Sequence, residues 1–164
     1  MPVTLVATAG GATSNSYCTI AEATVYHGKR FLNTAWTDAD KKDCEKVLMW
    51  STRLMDQLNW RGQKTDQNQA LRWPRVGCAD REGFPTSYTD IPTVIKDACA
   101  EWAFYLLTED RTLDEGGLVE IKGGVGPIKN PDMYIRKSMP DGVREMLAPF
   151  INGAGVGYGR VSRV

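Results

Sequence analysis

The sequence has no excess of charge of either sign. Its 164 residues include 20 lysines and arginines and 20 aspartates and glutamates, so the formal net charge at pH 7 is zero. A protein whose main role is to coat a phosphate backbone usually carries a clear basic excess. The charge balance therefore argues against that class. The length and the hydrophobic share of 42% are typical of one soluble globular domain.

Histidine and paired cysteines are also scarce. The four cysteines have no CxxC spacing, and His27 is the one histidine that could join them in a zinc site. Such a site would draw on distant segments and carries no sequence signal. The chain has neither a signal-peptide pattern nor a stretch apolar enough to cross a bilayer. The sequence predicts an intracellular protein with reduced thiols, no metal and no cofactor.

Catalytic motifs are missing as well. The sequence has no GxSxG, no phosphate-binding loop that ends in Lys-Ser/Thr, and no HExxH. Gly123 and Gly124 superficially resemble part of a phosphate loop, but the pattern predicts the turn of a hairpin. His27 lies on an apolar helical stripe, which favours a packed, hydrogen-bonded histidine over a catalytic one. The sequence predicts a protein that is not an enzyme.

Two helices are predicted in the first part of the chain. Thr19 and Glu22 form a capping box that opens a helix over residues 20–31. Thr37 and Asp40 are predicted to cap a longer amphipathic helix over about residues 38–58. The buried stripe expected on the first helix consists of Ile20, Ala23, His27 and Phe31.

Two further helices complete the predicted fold class. Asp90 is expected to cap a helix that has Pro92 in its first turn and ends near Glu109. Pro140 or Asp141 is expected to open a short helix over residues 142–151. The sequence thus predicts a mainly α protein, a small bundle of about four helices that forms one domain over residues 1–152.

Two segments have other patterns. A short β-prone run covers residues 3–7, and apolar alternation on both sides of Gly123-Gly124 predicts a β-hairpin or β-arm over about residues 117–137. Residues 153–164 are glycine-rich and predict an extended, flexible C-terminal tail. Such a tail is either a frayed end or a segment that docks on a partner by strand addition or groove capture.

The segment QALRWPRVGCADREGF contains the most unusual local pattern. Pro74 prevents Trp73 from continuing a helix, so the segment is predicted to be irregular. One interpretation is a nucleic-acid site with bases stacked on tryptophans. In the other, the tryptophans close the core while the arginines extend outwards into solvent. The residues concerned are Trp60, Arg61, Arg72, Trp73 and Arg75.

Several motifs occur in an order typical of a known family. These are NSYCTIAEATVYHGKRF, LMDQLNWRG, ALRWPRVGCADREG, IPTVIKDACAEWAFYL, VGPI and a terminal GRVSRV. Together they resemble the head-to-tail adaptor, or head-completion, proteins of tailed bacteriophages. Many of those proteins carry the label "putative DnaT-like single-stranded-DNA-binding protein". The similarity covers nearly the whole chain.

The resemblance implies a structural protein of the virion neck. Adaptors of this kind form a ring of about twelve copies under the portal protein and connect the DNA-filled head to the tail. The implied partners are the portal protein, neighbouring copies in the ring, a tail or nozzle (terminator) protein, and double-stranded DNA that passes without sequence specificity. A neutral surface suits such a channel, because each phosphate contact would slow the DNA.

The resemblance also implies roles for particular residues. Arg72, Trp73, Pro74 and Arg75 would form a hallmark loop with a structural role, capping carbonyls or contacting a neighbouring subunit. The β-arm would make contacts through Leu118, Ile121, Ile128 and Tyr134. The tail would dock on the portal through Gly153, Val156, Tyr158, Arg160, Val161, Arg163 and Val164.

The DnaT-like label keeps a second function class open. A replication accessory protein that binds single-stranded DNA would carry the same label. A strong basic cluster would favour this alternative, and the sequence has none. The neck adaptor is therefore the expected function, and the single-stranded-DNA-binding protein is the alternative.

Overall fold

The computed structural model describes residues 4–109 and 139–152, which form a mainly α fold as the sequence predicts. Two short antiparallel strands pair in it, with Gln63 opposite Val76 and Lys64 opposite Arg75. No helix in these two ranges is long and apolar enough to span a membrane. The elements, in chain order, are α1 (Ile20–His27), α2 (Thr34–Thr37), α3 (Lys41–Asp56), β1 (Gln63–Lys64), β2 (Arg75–Val76), α4 (Thr93–Thr108) and α5 (Asp141–Leu147).

Helix α1 begins at the predicted capping box and ends earlier than predicted. The Thr19 hydroxyl accepts the Glu22 backbone N–H at 3.2 Å, and the Glu22 carboxylate accepts the Thr19 N–H at 2.8 Å. The helix ends at His27, where Gly28 caps it. Phe31, predicted to be on the buried stripe, is 96% exposed. Glycine is a poor helix former, and the turn after Gly28 directs Phe31 into solvent.

The longest predicted helix is shorter in the structure and is preceded by a separate helical turn. Asp40 alone caps α3, where its carboxylate accepts the Asp43 N–H at 3.0 Å. Thr37 instead ends α2, which the sequence analysis did not predict. Trp36 in α2 is buried, and its indole N–H donates to Thr24 at 3.2 Å. This tertiary contact with α1 stabilises a turn that local patterns do not specify.

Both remaining helices start close to the predicted residues, and α4 also ends where predicted, at Thr108 with Glu109 as its C-cap. Helix α4 starts after Pro92, while Asp90 forms hydrogen bonds with Ser87 and Thr89 instead of capping the helix. Helix α5 ends at Leu147, short of the predicted Ile151. Beyond α5 the chain turns inward, and Ile151 forms a bridge with Trp60. Core burial therefore ends the last helix sooner than helical periodicity indicated.

Strand predictions were less accurate than helix predictions. Residues 4–7 of the β-prone run form no strand, because Asn15 binds them: its side chain accepts the Val6 N–H at 2.7 Å and donates to the Thr4 carbonyl at 2.9 Å. The paired strands β1 and β2 lie in a segment predicted to be irregular. The predicted arm at residues 117–137 and the predicted tail at residues 153–164 lie outside the described residues.

Helix α4 lies at the centre of the fold and packs against α1, α2, α3 and α5. Within the described residues it is buried around much of its circumference, and one of its buried side chains is the carboxylate of Glu101. Glu101 is held by Arg30 and by the Tyr26 hydroxyl at 3.0 Å. The buried positions of α4 are Ile95, Ala98, Cys99, Ala100, Glu101, Trp102 and Ala103.

His27 is fully buried where α1 meets α4, as a packed residue. Its Nε2 lies 3.1 Å from the Ala100 carbonyl, and its ring packs against Trp36 and Phe104 with centroid separations of 4.7 and 5.4 Å. Burial lowers the pKa of His27 from its usual 6.5, although the Glu101 charge acts in the opposite direction. The fold therefore holds this imidazole in its neutral form.

We predict that protonation of His27 destabilises the protein in mild acid. A histidine with a lowered folded-state pKa contributes full stability above its unfolded-state pKa, near 6.5, and less as the pH falls. In the unsubstituted protein, the free energy of unfolding measured by urea titration is expected to be lower at about pH 5 than at about pH 7. His27→Gln should reduce that difference.

The range from about pH 7 to about pH 5 separates the effect of His27 on stability from that of Glu22. Hydrogen bonds from Lys96 and Thr19 lower the pKa of Glu22 despite its partial desolvation, so its contribution is lost only below its usual value of 4.5. An equal fall in both proteins between about pH 7 and about pH 5 would contradict the assignment to His27.

Candidate nucleic-acid interface

The loop around Arg75 is organised by one buried guanidinium. Arg75 donates from Nε to the Arg61 carbonyl at 2.6 Å, from Nη2 to the Gly62 carbonyl at 2.7 Å and from Nη1 to the Arg72 carbonyl at 3.1 Å. These carbonyls belong to a segment with little regular secondary structure. The arginine thus supplies the donors that buried backbone oxygens require. Capping of carbonyls is one of the two roles that the sequence predicted for it.

Trp73 and Trp60 belong to the core. Trp73 is 1% exposed and makes edge-to-face contacts with Trp60 at 5.6 Å and with Phe150 at 5.5 Å. The indole N–H of Trp60 donates to the Met55 carbonyl at 3.0 Å. Neither tryptophan presents a face on which a base could stack. The interpretation of these tryptophans as a stacking site is therefore wrong, and the alternative interpretation as core residues is confirmed.

Arg72 has a different environment from its neighbours Trp73 and Arg75. It is exposed, and its backbone N–H donates to the Asp56 carboxylate at 3.1 Å. That carboxylate also accepts a hydrogen bond from the Tyr17 hydroxyl. Burial raises the pKa of Asp56, although both hydrogen bonds act in the opposite direction. Arg72 is thus held at the C-terminal end of α3 with its side chain in solvent.

A row of exposed cationic and aromatic side chains follows the outer face of α3. A residue and those four, eight and eleven positions after it lie on one side of an α-helix. At 1.5 Å per residue, the row is about 16 Å long. We call it the α3 strip, and it consists of Lys42, Lys46, Trp50 and Arg53, all exposed.

Trp50 is the aromatic member of the α3 strip. It is 38% exposed, and the Arg53 guanidinium lies over its ring with Cζ 5.4 Å from the centroid. A guanidinium at this distance attracts the ring and holds it in place. The two side chains thus offer a fixed aromatic face beside a positive charge.

Acidic residues partly neutralise the N-terminal half of the strip. Lys46 forms an ion pair with Asp43 at 2.8 Å, which raises the pKa of Lys46. Such exposed pairs contribute little to stability and yield to a competing anion. Arg53 forms no ion pair with any acidic group that the structure describes. The Trp50–Arg53 end is therefore the more available part of the strip.

The structure does not bring the predicted contact residues together. The arm residues Leu118, Ile121, Ile128 and Tyr134, and all the predicted tail residues, lie outside the described residues. Among residues 4–109 and 139–152, no group of histidine, cysteine or acidic side chains could hold a metal ion. Cys18, Cys44, Cys78 and Cys99 are buried, free thiols.

The strip could have been recognised in the sequence, because its residues are out of phase with the buried stripe of α3. The buried stripe of α3 includes Cys44, Leu48 and Met55, and Trp50 does not fit it. A large aromatic residue out of phase with the core stripe and three residues from an arginine indicates an exposed platform. The sequence analysis concentrated on Trp60 and Trp73 because of their arginine neighbours.

One family model matches the whole chain, residues 1–164, and its description is "Putative DnaT-like ssDNA binding protein". The chain therefore belongs to this family. No curated protein matches it. No solved structure matches it either.

The family match corrects the functional prediction. The expected function was that of a virion head-to-tail adaptor in the phage neck, with a dodecameric ring and portal binding. That prediction is wrong. The description of the matching family names single-stranded DNA binding, which supports the alternative function, a single-stranded-DNA-binding protein. The family match covers every residue quoted for the adaptor resemblance, so the order of those motifs alone did not separate the two classes.

We predict that Arg75 is far more important for stability than Arg72. Arg75→Lys retains the charge but cannot reach three carbonyls with one ammonium, and it should lower the free energy of unfolding by about 2–4 kcal/mol. Arg72→Lys, the matched control at an exposed position, should change it by less than about 0.5 kcal/mol. Urea titration of both variants measures the difference. Equal effects would contradict the proposed role of the Arg75 hydrogen bonds.

Proposed function

We propose that this protein binds single-stranded DNA along the α3 strip, without catalysing a reaction on it. The family description supports the ligand class. The observation that carries the location is the exposed Trp50 with Arg53 over its ring. Single-stranded DNA offers both unstacked bases and phosphates. A site for it combines an aromatic surface with nearby cations.

The strip provides separate groups for base stacking and for phosphate contacts. Trp50 offers part of its ring to a base, and stacking is possible for every base because each has a π-face. Arg53 lies beside that ring, where it can meet the adjoining phosphate. Lys42 and Lys46 extend the positive charge toward the start of α3. Binding of this kind depends little on base sequence.

Arg72 extends the positive surface beyond the end of α3. Its backbone is attached to Asp56, and its exposed side chain can meet a further phosphate. The order along the surface is then cation, aromatic and cation, with Trp50 between lysines on one side and arginines on the other. An extended strand could lie along this row, whereas a double helix would not expose its bases to Trp50.

A net charge of zero is compatible with this function. Only the local charge meets the strand, and the few cations of the strip predict few phosphate contacts. Few contacts give moderate affinity with a shallow dependence on salt. Base stacking, which salt affects less, then contributes much of the specificity for single strands.

We predict that Trp50→Ala weakens the binding of single-stranded DNA. Loss of one stacked base costs about 1–3 kcal/mol, which corresponds to a rise in Kd of roughly 5- to 150-fold. Fluorescence anisotropy with a labelled oligothymidine measures it. Phe84→Ala is the matched control, because Phe84 is an aromatic residue that is 68% exposed outside α3. An unchanged Kd for Trp50→Ala, or an equal loss for Phe84→Ala, would contradict the proposed site.

Salt titration of the same assay tests the role of Arg53. Each phosphate contact of a single strand contributes about −0.7 to the slope of log K against log salt concentration. Arg53→Gln should therefore make the slope shallower by about 0.7 while the fold remains intact. Lys29→Gln, which removes an exposed cation of another face, should leave the slope unchanged. A slope that Arg53→Gln does not alter would show that this guanidinium meets no phosphate.

A further inference from the structure

A second surface, formed where α1 and α4 lie side by side, contains two adjoining hollows of about 350 Å³ each. Both are lined by Tyr26, Lys29 and Asp97. This surface does not include the α3 strip. We call it the α1–α4 groove.

One wall of the groove is apolar and faces solvent. Val25 lines one of the two hollows and is 64% exposed, although it belongs to an eight-residue helix whose opposite side is buried. Ala21, one turn before it, adds little bulk to the same wall. An apolar helix face next to a hollow fits the side chain of a docked segment.

One carboxylate that lines the groove forms no hydrogen bond or ion pair with the residues that the structure describes. Asp97 is half-buried, and among residues 4–109 and 139–152 no group forms a hydrogen bond or ion pair with it. Burial raises its pKa, and only the charge of Lys29 acts in the opposite direction. The neighbouring acidic groups differ, because Glu22 is paired with Lys96 at 2.6 Å and Glu101 with Arg30. The groove therefore favours a cation at Asp97.

The described chain ends at an anchored residue, Asn152. The Asn152 N–H donates to the Asn59 carbonyl at 2.7 Å, which fixes the point where residues 153–164 begin. Just before it, Pro149 and Phe150 line a cavity together with Val94, in the first turn of α4. Thr93, the neighbour of Val94, lines the α1–α4 groove. Twelve extended residues reach up to about 40 Å, and the first turn of α4 borders both the cavity and the groove.

We propose that residues 153–164 dock in the α1–α4 groove of their own copy, with Val161 against Val25 and Arg163 at Asp97. The segment carries the complementary chemistry, since it ends in RVSRV, which contains two arginines and two valines. In an extended chain, residues two apart lie on the same side, so Val161 and Arg163 face one surface together. Attachment at Asn152 gives a high effective concentration, so modest contacts suffice.

Disulfide trapping in the full chain tests this docking. The four native cysteines are buried, so Val25→Cys with Val161→Cys introduces the two accessible thiols. With oxidised glutathione at low micromolar protein concentration, an intramolecular disulfide should form at least about tenfold faster than in the control pair, Phe84→Cys with Val161→Cys. Non-reducing gels and peptide mass spectrometry identify the product. Equal rates for the two pairs, or linked dimers as the main product, would overturn the proposal.

A second variant tests the proposed ion pair. Asp97→Asn in the Val25→Cys/Val161→Cys protein should slow trapping about two- to fivefold. Added salt should slow trapping in the protein that retains Asp97, because it screens the pair, and should have little effect in the Asp97→Asn variant. Asp38→Asn, at an exposed aspartate next to α2, is the matched control and should not change the rate. Trapping that Asp97→Asn leaves unchanged would overturn the assignment of Asp97. Neither result depends on whether the protein binds DNA.

Discussion

The three hydrogen bonds donated by the buried Arg75 guanidinium are the interaction on which the middle of this protein depends. The chain between α3 and α4 has only two short paired strands, so most of its backbone groups lack partners in a sheet or helix. Arg75 supplies donors to three of these carbonyls at once. Trp73, two residues earlier, places the same loop in the core against Trp60 and Phe150. Together they attach a mostly irregular segment to the bundle.

This anchoring determines which residues remain available for a ligand. A tryptophan between two arginines resembles a nucleic-acid contact, but the fold uses Trp73 and Arg75 internally. Exposed aromatic and cationic groups remain elsewhere, on the outer face of α3 and at Arg72. Asp56 joins these two places, because it belongs to the last turn of α3 and binds the Arg72 backbone. The core function of one loop residue thus positions its neighbour beside the proposed DNA-binding surface.

Helix α4 separates the two surfaces that the structure offers for binding. Its buried side packs against α3, whose opposite face carries the α3 strip, while α1 packs elsewhere on α4 and forms the groove with Asp97. The two surfaces differ in charge pattern. The strip presents cations beside an aromatic ring, which suits phosphates and bases. The groove presents valine beside a carboxylate that forms no ion pair within the described residues, which suits a basic and apolar segment of protein.

The sequence by itself determined the features that depend on residues within four positions of each other. The Thr19–Glu22 capping box, the Asp40 cap and the buried stripe of α3 all follow from local spacing, and the helical fold class follows from them. Only the tertiary structure decided where α2 forms, that Phe31 is exposed, and that β1 pairs with β2. It also decided that Trp73 is buried. These outcomes depend on contacts between distant segments, which no local pattern encodes.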